Sequence, residues 1–92
     1  MIKYGDKISL TMITLNEELS VKKVIEDIKK LDERIEIVIV DSSDDQTAEI
    51  AKSLGANVFL QHPPKGYGPA MDHALKCSNR ELIITVDCGI KA

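Results

Sequence analysis

Apolar and polar residues along this chain follow two alternating periods, one strand-like and one helix-like. Ile8-Ser9-Leu10-Thr11-Met12-Ile13-Thr14 reads as a first strand. From 18 to 31 the period becomes helical: Val21, Val24, Ile25, Ile28 and Leu31 share one face. Lys22, Lys23, Glu26, Asp27, Lys29 and Lys30 occupy the other face, and Ser20 or Asn16 supplies the N-cap. Ile35 to Val40 is nearly all β-branched, broken only by Glu36. An uninterrupted apolar strand is buried on both faces, which points to a parallel sheet. Asp44 or Asp45 caps a second helix with apolar positions Thr47, Ile50, Ala51 and Leu54, and Gly55 gives it a left-handed stop. Asn57 to Leu60 is a short third strand. Gln61 to Gly68, with two prolines and two glycines, is a loop. Pro69 suits the first position of a third helix, from which Met71, Ala74, Leu75 and Ser78 face inward. Glu81 to Val86 is a fourth strand.

The resulting order, β-α-β-α-β-α-β, specifies a doubly wound parallel α/β sheet with right-handed crossovers. The expected strand order is 3-2-1-4, with helices on both faces. Ligands of such sheets bind at the carboxyl ends of the strands, near the switch point. Polar residues collect there. Asn16, Glu17 and Glu18 follow the first strand, and Asp41, Ser42, Ser43, Asp44 and Asp45 the second. Lys65, Gly66, Tyr67 and Gly68 follow the third, and Asp87 and Cys88 the fourth.

Size and composition narrow the function classes. A chain of 92 residues is one small domain, 1–92, that buries roughly two-thirds of its unfolded surface. With 43% hydrophobic and only 3% aromatic residues, and no Trp, its core must be aliphatic. The formal charge of −3, with both signs mixed along the chain, excludes the clustered basic face of a nucleic-acid binder. Cys77 and Cys88 fit neither a disulfide framework nor a zinc spacing, so a reduced, cytoplasmic setting is expected. No apolar run approaches the ~20 residues of a transmembrane helix. His73 and Cys77, four apart on a helix, have no evident third metal ligand.

The polar clusters carry a recognisable pattern. Leu-Thr-Met-Ile-Thr-Leu-Asn-Glu-Glu at 10–18 resembles the strand-then-Asn-Glu opening of the inverting family 2 glycosyltransferases. Val-Asp-Ser-Ser-Asp-Asp-Gln-Thr at 40–47 resembles their second-strand signature, and Lys-Gly-Tyr-Gly-Pro-Ala at 65–70 their basic Gly-rich loop. Val-Asp-Cys-Gly at 86–89 falls where that family carries its Asp-x-Asp. All four motifs stand in order over nearly the whole chain, and the polyprenol-phosphate (dolichol-phosphate) glycosyltransferases are the nearest group. The resemblance implies the Rossmann-like nucleotide-binding half of a GT-A fold.

It also implies roles. Asp41 is the base-reading acid, with Glu17 beside it on the nucleotide. Lys65 and Gly66 approach the diphosphate through an ammonium and backbone N–H groups. Asp87 reaches the ribose or a divalent metal, Mg or Mn, that neutralises the leaving diphosphate. Gly89 stands in place of the second aspartate, so metal binding through Asp87 is expected to be weak. The implied ligand is a nucleoside diphosphate or nucleotide sugar, and the implied acceptor class includes polyprenyl phosphates. The family's acceptor site and general base lie beyond these motifs, so this chain alone is expected to be an inactive, truncated domain. Its uncovered sheet edge favours a homo-oligomer. The alternative is a non-catalytic binding or self-assembly module of the same fold. A receiver-like signalling domain fits poorly, because Leu60 and Gln61 stand where its phosphorylatable Asp belongs. Nucleotidyltransferases carry their Gly-rich loop after the first strand, where this chain has Asn-Glu-Glu.

Overall fold

The structure, a computed structural model, describes residues 5–63 and 66–87, with the backbone alone at 67 and 87. A 3-10 turn at Gly5–Lys7 leads into β1 (Ile8–Thr14). Then follow α1 (Val21–Leu31), β2 (Glu36–Asp41), α2 (Thr47–Ser53), β3 (Asn57–Leu60), α3 (Tyr67–Cys77) and β4 (Leu82–Asp87). The four strands form one parallel sheet in the expected order, β3-β2-β1-β4. Among the described residues no helix is long and apolar enough to cross a membrane.

Strand periodicity decides which residues meet which helices. Ile8, Leu10 and Met12 of β1 join Ile37 and Ile39 of β2 on one face. There they pack against Val21, Ile25 and Ile28 of α1 and Ala51 of α2, forming the main core. The opposite face holds a smaller cluster of Val40, Ala70 and Ala74, with Ile13 against it. Helices α1 and α2 therefore cover one face and α3 the other. The change of face falls between β1 and β4.

Several boundaries and facings differ from the sequence reading. Helix α1 begins at Val21 with Ser20 at the N-cap position, one of the two caps expected, and the amides of Ser20 and Val21 meet the Glu17 carbonyl in the preceding turn. The Ser20 hydroxyl makes no cap hydrogen bond. Leu31, the last residue of α1, lies beyond the packed stripe and is exposed, while Ile35 is buried in its stead. Pro69 is the third residue of α3, still inside the first turn, where its missing N–H costs no intrahelical bond. Leu75 is exposed rather than inward, because Ala70 and Ala74, one turn apart, form the stripe that lies against the sheet. Ser78 does face inward, and its hydroxyl shares a 2.8 Å hydrogen bond with that of Thr11.

Glu36, the polar break in the second strand, closes the amino edge of the sheet. Its carboxylate accepts from the Ser9 hydroxyl and, at 3.3 Å, from the Asn79 amide. Burial opposes its ionisation, but these donors outweigh burial and hold it below its ordinary value. Nearby, the Arg80 guanidinium donates to the backbone carbonyls of Asp6 and Arg34. It thus ties the segments preceding β1, β2 and β4. Gly55 ends α2 with φ of +92°, a conformation that side chains resist.

Candidate functional site at the carboxyl edge

The strands end nearly level. Thr14 pairs with Asp41 on one side of β1, and Ile13 pairs with Asp87 on the other. Two strand spacings therefore separate the backbones of Asp41 and Asp87, on the order of 10 Å. The Gln61 amide donates to the Asp41 carbonyl at 2.8 Å, which brings the end of β3 to the same edge.

Asp41 is fully buried. Its Oδ1 accepts from the hydroxyls of Thr14 and Ser43, each at 2.6 Å, and its Oδ2 accepts from the Ser43 amide at 3.1 Å. The Ser43 hydroxyl also accepts from the Asn16 amide at 2.7 Å. Asn16 adopts φ of +54°, and its side-chain oxygen accepts from the Asp44 amide at 2.9 Å. Asparagine tolerates this left-handed backbone better than other non-glycine residues.

The loops after β1 and β2 are laced together by further bonds of the same kind. The Glu17 amide donates to the buried Thr47 hydroxyl at 2.8 Å, and the Glu18 amide to Asp45 at 3.3 Å. In return the Gln46 amide donates to the Glu18 carboxylate at 3.0 Å. The N-cap position of α2 falls to Gln46 rather than to Asp44 or Asp45, and makes no side-chain cap bond; Asp45, one residue earlier, accepts from the Thr47 amide at 2.9 Å. Burial opposes its charge, but the Thr47 and Glu18 donors lower its pKa below the ordinary carboxylate value.

Glu17 is half-buried at the rim of this clasp, with the Ser20 hydroxyl 3.5 Å from its carboxylate. Gly66 precedes α3 with φ of +93°, and among the described residues a Cβ there would meet no atom within 4 Å beyond its chain neighbours. Lys65 lies outside the described residues, as do the side chain of Asp87 and Gly89. Among the described residues no group of three or more His, Cys, Asp or Glu could hold a metal ion. The structure thus links Asp41, through Ser43 and Asn16, to the loop that carries Glu17, and sets the Asp87 backbone on the same edge, while Gly66 stands at the start of α3. Sequence reasoning did not single out Thr14, Ser43 and Thr47. Their signal was a hydroxyl residue at a strand end or within an Asp-rich loop, where it can serve both a carboxylate and an amide.

This architecture is that of the Rossmann-like part of GT-A glycosyltransferases: an all-parallel 3-2-1-4 sheet, flanked by helices, with a polar carboxyl edge. The family model for glycosyl transferase family 2 matches residues 9–88, and the chain belongs to that family. It is 43% identical over 84 residues to a dolichyl-phosphate hexose transferase of Haloferax volcanii, covering 90% of this chain and 36% of that relative. Mannosyl-3-phosphoglycerate synthase from Rubrobacter xylanophilus superposes with a TM-score of 0.80 at 30% identity, over 89% of this chain and 30% of that one. Glucosyl-3-phosphoglycerate synthase from Mycobacterium tuberculosis, solved with Mn2+, uridine diphosphate and glucosyl-3-phosphoglycerate, gives 0.78 at 28% identity, over 94% and 34%. The chain spans about a third of the length of these three relatives.

Proposed function

We propose that the carboxyl edge binds the nucleoside diphosphate of a nucleotide sugar, as the donor-binding part of a family 2 sugar transfer. The observation that carries this is the clasp: two loops, rigidly cross-linked, holding Glu17 and Asp41 together at the strand ends. Glu17 serves the base end, and the buried Asp41 supports the loop that carries it. Gly66, with Lys65, serves the diphosphate, and Asp87 the ribose or metal. A divalent cation needs about six oxygen ligands, and Mg2+ often takes only one or two from carboxylates, with phosphate oxygens and water completing the shell. Asp87 with Gly89 supplies one side-chain carboxylate, so Mn2+ or Mg2+ joins together with the diphosphate rather than before it. The homology to a dolichyl-phosphate hexose transferase favours a hexose donor and a polyprenyl phosphate acceptor for the whole reaction. The chain by itself transfers no sugar on this reading. The free thiol of Cys77 agrees with a reducing, cytoplasmic setting.

Calorimetric titration with UDP and GDP, with and without Mn2+, tests the reading. Binding of one of them in the high micromolar to millimolar range is expected, about 4 kcal/mol at the weak end. Absence of heat and of thermal stabilisation with both would end it. Sugar transfer by the purified chain would refute its inactivity.

Self-association is a second element of the proposal, and β4 favours it. It is an edge strand, and its Leu82, Ile83 and Ile84 are 51, 42 and 46% exposed. Adjacent residues of a strand point to opposite faces, so apolar surface is bare on both sides of this edge. The occupant we propose is a second copy of the chain, paired antiparallel along β4.

A further inference from the structure

The loop that follows β1 owes its shape to a chain of hydrogen bonds starting deep in the sheet. Thr14 and Asp41 are 1 and 0% exposed, and Ser43 is 7% exposed. The Thr14 hydroxyl donates to Asp41, as does the Ser43 hydroxyl, both at 2.6 Å to the same oxygen. With its proton committed to Asp41, the Ser43 oxygen is left as an acceptor, and the Asn16 amide fills it at 2.7 Å. Asn16 is where the backbone enters the left-handed region, turning the chain so that Glu17 stands at the rim. Each link sets the polarity of the next.

We infer that Thr14, Asp41 and Ser43 form a positioning relay that fixes the Asn16 turn and, through it, the base end of the nucleotide site. The inference rests on the nucleotide reading above and adds how Asp41 contributes to it. A carboxylate with no exposed surface and three donors from its own protein acts through the groups it orients. Thr14 and Ser43 then matter to affinity without touching the nucleotide.

The test compares Ser43→Ala with Ser43→Thr, and Thr14→Val with Thr14→Ser, in the full chain. Ile28→Val, a core change remote from the edge, serves as a control for lowered stability. Two readouts are needed. Hydrogen exchange at the Asn16 amide should accelerate about tenfold or more in Ser43→Ala, since its acceptor is gone, and should return towards the wild-type rate in Ser43→Thr. UDP or GDP affinity should fall about fivefold to thirtyfold in Ser43→Ala and Thr14→Val, the worth of one buried hydrogen bond, and recover in the hydroxyl-retaining variants. Ile28→Val should lower the melting temperature and leave both readouts unchanged. Unaltered exchange at Asn16 would overturn the relay. Accelerated exchange with unchanged affinity would overturn its link to the nucleotide. If the wild type binds neither nucleotide, the site reading fails, and Asn16 exchange alone then decides whether the relay exists.

Discussion

Asp41 carries three internal hydrogen bonds in a space with no exposed surface. Removing it strands the hydroxyls of Thr14 and Ser43, and unmade buried partners cost about 1–3 kcal/mol. Asp41→Ala should therefore weaken nucleotide binding more than Glu17→Ala does, and should also lower the melting temperature, which Glu17→Ala leaves nearly unchanged. Calorimetry and thermal denaturation on both variants check this. Asp32 offers a different residue-scale test, at the amino edge. The hydrogen bond from the Arg34 side chain holds its pKa at about 2, against an ordinary 3.8. A depressed folded-state pKa gives stability that is present above the ordinary value and lost as pH falls through the folded one. The stability difference between wild type and Arg34→Gln should hold from neutral pH to above 4, then shrink as pH falls from about 3.8 towards 2. A difference that persists at pH 2 would contradict the pairing.

The elements were legible wherever one period dominated. Residues 8–14, 57–60 and the apolar stripe of α1 needed only strand alternation or helical spacing. Facing was harder where side-chain size decided it. Leu75 is more apolar than Ala70, yet the alanine is buried, because a small residue lets α3 settle against Val40 and Ile13. The main core should behave conventionally: Ile25→Ala removes a fully buried side chain between α1 and the sheet and should cost about 2–5 kcal/mol in a denaturant titration. Gly55→Ala tests the stop after α2. At φ of +92° an alanine is strained, and its Cβ would stand 3.4 Å from the Lys29 ammonium nitrogen, so a loss of about 1–2 kcal/mol is expected.

At the scale of the whole molecule, helices cover both faces of the central strands, while Leu82, Ile83 and Ile84 of β4 stay about half exposed among the described residues. Three consecutive large apolar residues on an edge strand are an invitation to pairing. Light scattering at high micromolar concentration should report a dimer or larger, and Ile84→Lys should return it to a monomer with little change in nucleotide affinity. A wild-type monomer under those conditions would refute the proposed interface. The level ends of β1, β2 and β4 also explain why separate sequence clusters converge. A parallel sheet puts every carboxyl end on one edge, so Glu17, Asp41 and Asp87 become neighbours across strands rather than along the chain.

The linear pattern alone determined the alternation of strands and helices and their parallel sense, since both follow from local periodicity and the right-handed crossover. It carried the motifs of the family, and it pointed to Asp41 and Glu17 because both directly follow or end strands. The expected 3-2-1-4 order, one of two open to such an alternation, is settled by the pairing of β4 with β1. Tertiary structure decided what Asp41 touches. Thr14 and Asp41 lie 27 residues apart, and so do Asn16 and Ser43. Their hydrogen bonds exist only because β1 and β2 lie side by side in one register. Burial then removes water as a competing partner, which is why the hydroxyls of Thr14 and Ser43, whose role shows only once the two strands are paired, shape the loop after β1.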